Sequence, residues 1–435
     1  MEKNNPRTLN GWCMYDWANS VYSLTITTAV FPIYYGAVTK AGAVRVENGN
    51  YLIDFFGLEI HNTVIYSFAL SFAFVSIALI NPLLSGIADY SGKKKSFMKF
   101  FAWMGALACM ALLFFDKDHI WVGLVFFVIA TIGYAGSLVF YNAYLPEIAT
   151  NDQLDRVSAK GFSMGYVGSV LLLIVNILML QMPSWFGLQD EGEAARISFL
   201  TVGIWWLVFS IYSFMRLPKD VPLKIKDKNI LFKGYEESRK VFHQILQIPR
   251  LRNFLFGFFF YNMSFQTIMY LASIFGSEEL HIPTSGLIAT ILIIQLVAIL
   301  GAYLFTMSSK CYGNIYTLIF ALCIALVIAV CAYLVQTANQ FYLLAVLVGL
   351  VMGGIQSISR STYSKLLPVT KDNASFFSFY ELTDKVGTAL GTAIFGLVNA
   401  STGNMRDSLF PLFVFFVVGL FFLNKIKKNT LTAAE

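Results

Sequence analysis

Charge is what this chain has least of. Only 13% of its 435 residues are Asp, Glu, Lys or Arg, against roughly 25% in soluble domains. Cysteine is nearly as sparse, with five in all. Cys13, Cys109, Cys311, Cys323 and Cys331 form no metal-ligand spacing, and each reads as a small apolar packing residue. The four histidines, His61, His119, His243 and His281, fall in loops or at the ends of apolar runs. A histidine proton relay inside a membrane is thereby excluded, and any proton coupling would have to use carboxylates. The apolar runs contain no histidine pair, metal-ligand cluster or nucleophile motif. No enzyme activity, catalytic residue, metal or cofactor is therefore expected. The polar start, MEKNNPRTLNGW, leads into a full-length apolar run with no small-residue cleavage site, so no removable signal peptide is expected.

Apolar sequence fills the rest. Hydrophobic residues make up 57% of the chain, enough for about twelve spans at ~20 residues each. The runs lack the ten-residue alternation of a membrane β-barrel. The expected fold is an all-α polytopic membrane protein with twelve transmembrane helices in two six-helix bundles. The spans are placed roughly at 11–36, 62–86, 97–115, 120–143, 161–182, 197–216, 253–275, 285–307, 315–335, 340–364, 376–399 and 408–425. A basic segment, 218–252, divides an N-terminal bundle (1–217) from a C-terminal bundle (253–435). It includes an amphipathic piece, YEESRKVFHQILQI.

Lys and Arg set the expected orientation. With the N-terminus inside, 25 of the 31 basic residues lie in inner segments and five in outer ones, and Lys385 lies within a span. Both termini are therefore expected in the cytoplasm, and 218–252 becomes a cytoplasmic linker. The net charge of +6 is read as this orientation signal, and no nucleic-acid partner is expected.

One span breaks the apolar rule. Ser375 to Thr392, SFFSFYELTDKVGTALGT, carries Glu381, Asp384 and Lys385. On a helix these three share a face with Thr388 and Thr392. Intramembrane charges of this kind usually face a cavity or a partner, because each costs roughly 2.5–3.5 kcal/mol near the bilayer centre on insertion scales. Glu381 and Lys385 have the favourable i, i+4 order and are expected to pair, leaving Asp384 over. Counted from Ser375, Lys385 lies about 15 Å deep, half of a ~30 Å core. Asp16 in the first span has a polar face with Asn19, Ser20 and Ser23. It is read either as a substrate or proton site, or as an acid snorkelling to the interface or capping a broken helix. Asn262, Gln266, Thr267 and Tyr270 form a similar face in the seventh span, for binding or for interhelical hydrogen bonds. Snorkelling is the default for Arg360, and a gating ion pair with Glu147 or Asp384 is its alternative. The pairs Gly161/Gly165 and Gly387/Gly391 are read as close-packing faces.

The two halves echo each other. Tyr141 to Pro146 and Tyr363 to Pro368 both read Y-x-x-x-L-P, Tyr15-Asp16 matches Tyr261-Asn262, and the two glycine pairs correspond. These matches favour two parallel six-span repeats.

Between spans two and three runs Gly86-Ile-Ala-Asp89-Tyr-Ser-Gly92-Lys93-Lys94-Lys95. It resembles the Gly, Asp-(Arg/Lys)-x-Gly-(Arg/Lys)-(Arg/Lys) signature of the major facilitator superfamily, with Tyr90 where a basic residue is usual. The resemblance implies a cytoplasmic gate of Gly86, Asp89, Gly92, Lys93, Lys94 and Arg360, in which Asp89 caps the start of span eleven. Loop 8–9 keeps a glycine, Gly313, and has no such Asp. Tyr15-Asp-Trp-Ala-Asn-Ser20, Tyr144-Leu-Pro146-Glu147-Ile-Ala149 and Gly353-Gly-Ile-Gln-Ser-Ile-Ser-Arg-Ser361 are similar to the "unknown major facilitator" branch, which includes the fungal autophagy-linked vacuole effluxers. That branch implies an acid after Tyr-Asn in span seven, where this chain has Met263. The resemblance implies a secondary transporter of a small polar solute, with amino acids as a substrate class. A non-transporting receptor with the same fold is the alternative.

On this reading Asp16, Asn19, Asn262, Gln266, Glu381, Asp384 and Lys385 line a mid-membrane pathway. Lys385 would meet a substrate carboxylate or hold Glu381, and Asp16 or Asp384 would meet a cation. The expected partners are a small-molecule substrate, protons as an open option, and the lipid bilayer. The chain is expected to act as a monomer in a bacterial inner membrane.

Overall fold

Asn5 starts the first helix. Its side-chain oxygen accepts from the backbone N–H of Arg7 (3.0 Å) and Thr8 (3.4 Å), and Pro6 takes the first helical position, where a missing N–H costs nothing. From there a computed structural model describes residues 2–47, 50–55, 57–222 and 229–431. Within the expected linker, 223–228 lie outside the described residues, as do 432–435 at the end of the expected C-terminal bundle.

Six long helices precede the linker: α1 (Pro6–Ala41), α2 (Asn62–Ser91), α3 (Lys94–Ala111), α4 (Ile120–Ala143), α5 (Leu154–Gln181) and α6 (Glu191–Arg216). An amphipathic helix, α7 (Ile230–Gln247), follows. Six more then complete the fold: α8 (Pro249–Glu278), α9 (Thr284–Tyr312), α10 (Asn314–Leu334), α11 (Ala338–Leu366), α12 (Asn373–Thr402) and α13 (Phe410–Leu431). Spans seven to twelve are thus α8 to α13. Among the described residues, ten helices are long and apolar enough to cross a membrane on those grounds alone. The two that fall short are α8 and α12, whose polar stripes dilute their apolar content. The protein is a multi-pass membrane protein of two six-helix bundles.

Glycines bring the helices together in matched pairs. Gly161 and Gly165 of α5 abut α1 at Asp16 and Ser20, and Gly387 and Gly391 of α12 abut α8 at Phe259 and Met263. The fifth and first spans of each bundle therefore meet in the same way, as the internal repeat implied. Between α9 and α11 the contact is closer still. A Cβ on Gly353 would collide with the backbone of Ala298, and one on Gly301 with that of Leu350. Without a strong hydrophobic drive between helices in lipid, such close backbone approach supplies dispersion contact.

Two features lie outside the expected pattern. Residues 45–61 hold a three-stranded antiparallel sheet, β1 (Arg45–Glu47), β2 (Asn50–Phe55) and β3 (Leu58–His61), in register Arg45 with Leu52 and Leu52 with His61. Gly57, at φ +85°, turns β2 into β3 while Asp54 accepts its N–H (2.7 Å). The sheet buries Leu52 and Ile53, and Tyr51, Ile53 and Ile60 suit strands, but the run is too short to signal beside the long spans. The second feature is a π-helical stretch in α1, Tyr22–Val30, in which Thr28 donates to the carbonyl of Ser23 (2.9 Å). Such stretches concentrate at functional sites.

Because Gly353 has no room for a side chain, Gly353→Val should destabilise the C-terminal bundle by about 1–3 kcal/mol, the usual range for overpacking. A lower melting temperature of the purified protein in detergent checks this, and an unchanged one would count against the α9–α11 contact.

Candidate functional site

Helix direction puts all the interior charges on one level. Asp16 comes early in α1, Arg360 late in α11, and Glu381, Asp384 and Lys385 lie near the middle of α12. Asp16 and Arg360 meet across the two bundles. Both Nη1 (3.1 Å) and Nη2 (3.2 Å) of Arg360 donate to Oδ2 of Asp16, and the Tyr141 hydroxyl donates to the same oxygen (2.7 Å). The guanidinium lies over the rings of Phe162 (3.9 Å) and Trp12 (4.7 Å), an attractive placement for a cation. It also donates to Ser158, to Oγ from Nε (3.0 Å) and to the carbonyl from Nη2 (2.8 Å). Gly161 makes the space, since a Cβ there would stand 2.6 Å from Asp16 Oδ2.

Asn142 carries the network onward. Its side-chain oxygen accepts from Arg360 (3.4 Å), and its amide donates to Glu381 Oε1 (2.8 Å). Lys385 reaches Asp384 at 2.6 Å and Glu381 only at 3.9 Å. Asp384 also accepts from Asn262 (2.5 Å) and Gln266 (3.2 Å) of α8. One polar chain therefore joins α1, α11, α4, α12 and α8. It contains three carboxylates and two cations, so with all five ionised it carries one uncompensated negative charge.

Several expectations change here. Lys385 keeps its expected ion pair with Glu381, at 3.9 Å, but its closer partner is Asp384, so neither acid is left over alone, and Asn142 also holds Glu381. Arg360 does not snorkel, being only 3% exposed, and it pairs with Asp16 instead of Glu147 or Asp384. Asn19 stays apart, buried in the first bundle, where its side-chain oxygen accepts from Ser20 (3.4 Å).

Beyond the network, away from the termini, lies a cavity of about 820 Å³. Its walls come from the far ends of α1, α5 and α8, the near ends of α2, α6 and α9, and the middle of α12. Tyr34, Tyr66, Tyr270, Thr388 and Thr392 line it together with Thr27 and Thr28 of the π-helical stretch, and Glu191 and Glu278 lie toward its rim. The seven expected pathway residues do not form these walls in this conformation and sit deeper. Lys385 comes nearest, with its amine 6.0 Å from the ring of Phe74, a wall residue.

The termini face is closed by two contacts of inverted polarity. In the first, Asp89 accepts from the N–H groups of Ala374 (3.3 Å) and Ser375 (2.7 Å) and from the Ser375 hydroxyl (2.8 Å). A carboxylate thus answers the free N–H groups and dipole of the start of α12. Gly92, at φ +67°, ends α2 in the left-handed conformation that lets the chain turn there. Lys94 pairs with Glu147, which also accepts from Asn373 (2.8 Å). Lys93 is exposed. Gly86 takes no part in the turn. It stands three residues ahead of Asp89 and abuts Gly234 of α7.

In the second contact the acid sits on the other partner. Asp155, in the first turn of α5, accepts from Ser309 (3.1 Å) and Asn314 (2.7 Å) and pairs with Lys365 (2.6 Å). Loop 8–9 lacks an Asp because it supplies the donors. Ser158 to the Ser357 carbonyl (2.8 Å) and Tyr166 to Gln356 (2.6 Å) complete the seal. Sequence reasoning missed Asp155, Ser158 and Asn142. The one available signal was that Asn142 is a polar residue inside the Y-x-x-x-L-P run and Asp155 an acid nine residues after it.

The family model described as "Vacuole effluxer Atg22 like" matches residues 4–430. The chain belongs to this Atg22-like family. The uncharacterized MFS-type transporter YxiO of Bacillus subtilis (strain 168) is 31% identical to it over 434 residues, covering 99% of this chain and 97% of its own. Autophagy-related protein 22 of Eremothecium gossypii is 25% identical over 466 residues, covering 95% and 89%. Two solved structures share the fold. The human organic anion transporter MFSD10 (TETRAN) gives a TM-score of 0.73 at 13% identity, covering 97% of this chain and 100% of its own. FucP, a major facilitator superfamily transporter in the outward conformation, gives 0.70 at 12%, covering 97% and 99%. This Atg22-like protein has the major facilitator fold, and it is a transporter of that superfamily.

The Asp16–Arg360 pair makes a clear energetic forecast. Arg360→Gln leaves a buried carboxylate unpaired and should cost about 3–5 kcal/mol. The double variant Asp16→Asn with Arg360→Gln should recover much of that in thermal melts, and strictly additive losses would argue against the pair. Asp89→Asn should weaken the first contact by ~1–2 kcal/mol, shifting the closed population by roughly five- to thirty-fold. Electron–electron distance measurements between nitroxides at Lys93→Cys and Lys371→Cys should then show a longer component. An unaltered distribution would remove Asp89 from the gate.

Proposed function

We propose that this Atg22-like protein moves a small polar solute, an amino acid or related compound, by alternating access coupled to protons. The observation that carries the reading is the uneven charge count of the buried network. Asp16 has Arg360, while Asp384 and Glu381 share the single cation Lys385, at 2.6 and 3.9 Å, and Glu381 also accepts from the amide of Asn142. A carboxylate in that position is stable either protonated or facing a cation, because an unpaired buried charge is strongly disfavoured. Glu381 therefore takes the coupling role that the sequence had divided between Asp16 and Asp384.

A zwitterion suits the arrangement. Its carboxylate meets Lys385 from the cavity side, competing with Asp384, and its amine turns to the hydroxyls of Tyr270 and Thr388 or to Glu381. The cavity is open on one side of the network and sealed on the other, which is one end state of an alternating-access cycle. In this reading residues 1–217 and 253–435 rock as two bodies joined by 218–252. The cycle belongs to a monomer, since a single chain supplies both gates and the cavity. The sealed face carries both termini and the basic loops, so it is assigned to the cytoplasm, and the bacterial relative supports a plasma-membrane location.

The test is uptake into proteoliposomes, screened across amino acids, peptides and sugars with and without an imposed pH gradient. An amino acid is expected to accumulate faster with the gradient, and Glu381→Gln should abolish that acceleration while solute exchange at equal pH persists. Uptake indifferent to the gradient would make the protein a facilitator. Binding of a solute with no flux would favour a receptor.

A further inference from the structure

The amphipathic helix α7 uses only part of its apolar surface against the protein. Gly234, Ser238, Val241 and Ile245 are buried, with Gly234 against Leu83, Gly86 and Ile87 of α2. A second stripe is exposed: Leu231 (64%), Tyr235 (56%), Phe242 (45%) and Leu246 (39%). At 100° per residue these four fall within an arc of about 60° beside the buried face. The polar side chains Glu236, Arg239, Lys240 and His243 occupy the arc on the other side of the stripe from the buried face.

The fold places this helix at a membrane surface. Its last residue, Gln247, is separated from Pro249, the first residue of the membrane-crossing α8, by Ile248 alone. Its contact on α2 is at Gly86, five residues short of the helix end, or about 7.5 Å from that end at 1.5 Å per residue. Leu79 and Ile80, about two turns earlier on α2, are exposed at 73% and 44% on a helix that crosses the bilayer. At the other end of the stripe the ring of Phe242 meets Phe379 of α12 (5.6 Å). The exposed stripe is thus continuous with the surface that lipid already covers. Charge points the same way, since residues 216–252 contain ten Lys and Arg against four Asp and Glu. A helix with a large apolar face, a charged opposite face and surrounding basic residues lies in the interfacial plane of a membrane and prefers anionic lipid.

We propose that α7 is an interfacial lipid-binding helix, with Leu231, Tyr235, Phe242 and Leu246 in the acyl boundary and Arg239 and His243 toward anionic headgroups. The same helix touches α2 through Gly234 and α12 through Phe242 and the Lys240–Asp372 ion pair (3.1 Å). It therefore spans the two elements that Asp89 joins.

The test uses the full chain, with its native cysteines replaced by alanine, in vesicles of phosphatidylcholine with and without phosphatidylglycerol. Nitroxides at Tyr235→Cys and Phe242→Cys are expected to collide several-fold more with oxygen than with a water-soluble nickel chelate. Those at Glu236→Cys and Gln247→Cys should show the reverse. Dominant nickel access at all four sites would overturn the proposal. So would protection from both reagents at Tyr235→Cys and Phe242→Cys, which would mean a protein cover in place of lipid. Phosphatidylglycerol should raise the oxygen preference, salt should reverse that gain, and Arg239→Gln with His243→Gln should diminish it. Insensitivity to lipid charge would overturn the headgroup assignment.

Discussion

The molecule turns on the ion pair between Asp16 and Arg360, buried where the two bundles meet. Taking either charge out of water is costly, and only close geometry with full hydrogen bonding repays it. The surroundings meet that condition. Two guanidinium nitrogens and a tyrosine hydroxyl converge on one carboxylate oxygen, Ser158 takes two of the donors facing away from Asp16, and aromatic rings cover the cation. Such a pair cannot simply separate in a dry interior. Water or a new partner would have to replace each half for the face it closes to open.

The outer seal is built from weaker parts. A carboxylate at a helix start contributes about a kcal/mol, rising to ~2 when partly buried, and the Lys365–Asp155 pair keeps its lysine in partial contact with water. Two such contacts, Asp89 on the start of α12 and Asp155 on the α9–α10 turn, hold opposite edges of the interface. The arrangement combines a costly central pair with cheap peripheral contacts, so the face stays closed without being locked.

On the other side of the network the wall of the cavity changes character. Tyrosines and threonines replace charge, and α1 loosens into a π-helical stretch that presents Thr27 and Thr28. Lys385 stands at the boundary, paired with Asp384 and near the cavity wall. It is a charged group of the network that is in contact with Asp384 and within 6.0 Å of the ring of a cavity-wall residue, Phe74.

The twelve-helix fold was legible in the chain because each span is a local property, an apolar run of bilayer length. The docking of Asp89 on α12 was legible too, through the resemblance of its loop to the superfamily signature. The same holds for the stripe of Glu381, Asp384 and Lys385, whose common face follows from helical spacing. The pairings within the site were not. Spacing on one helix pointed Lys385 to Glu381, which it does reach at 3.9 Å, but Asn262 and Gln266 of another helix hold Asp384 in closer reach and Asn142 of a third also holds Glu381. Arg360 finds Asp16 from 344 residues away, in the other bundle, through the space left by Gly161. Asp155 drew no notice in the sequence, because its partners on the α9–α10 turn lie more than 150 residues away. Composition and period determine which segments enter the membrane. Which charge meets which is decided by the packing of helices distant in sequence, because a buried charge takes whatever partner the tertiary structure brings within hydrogen-bonding distance.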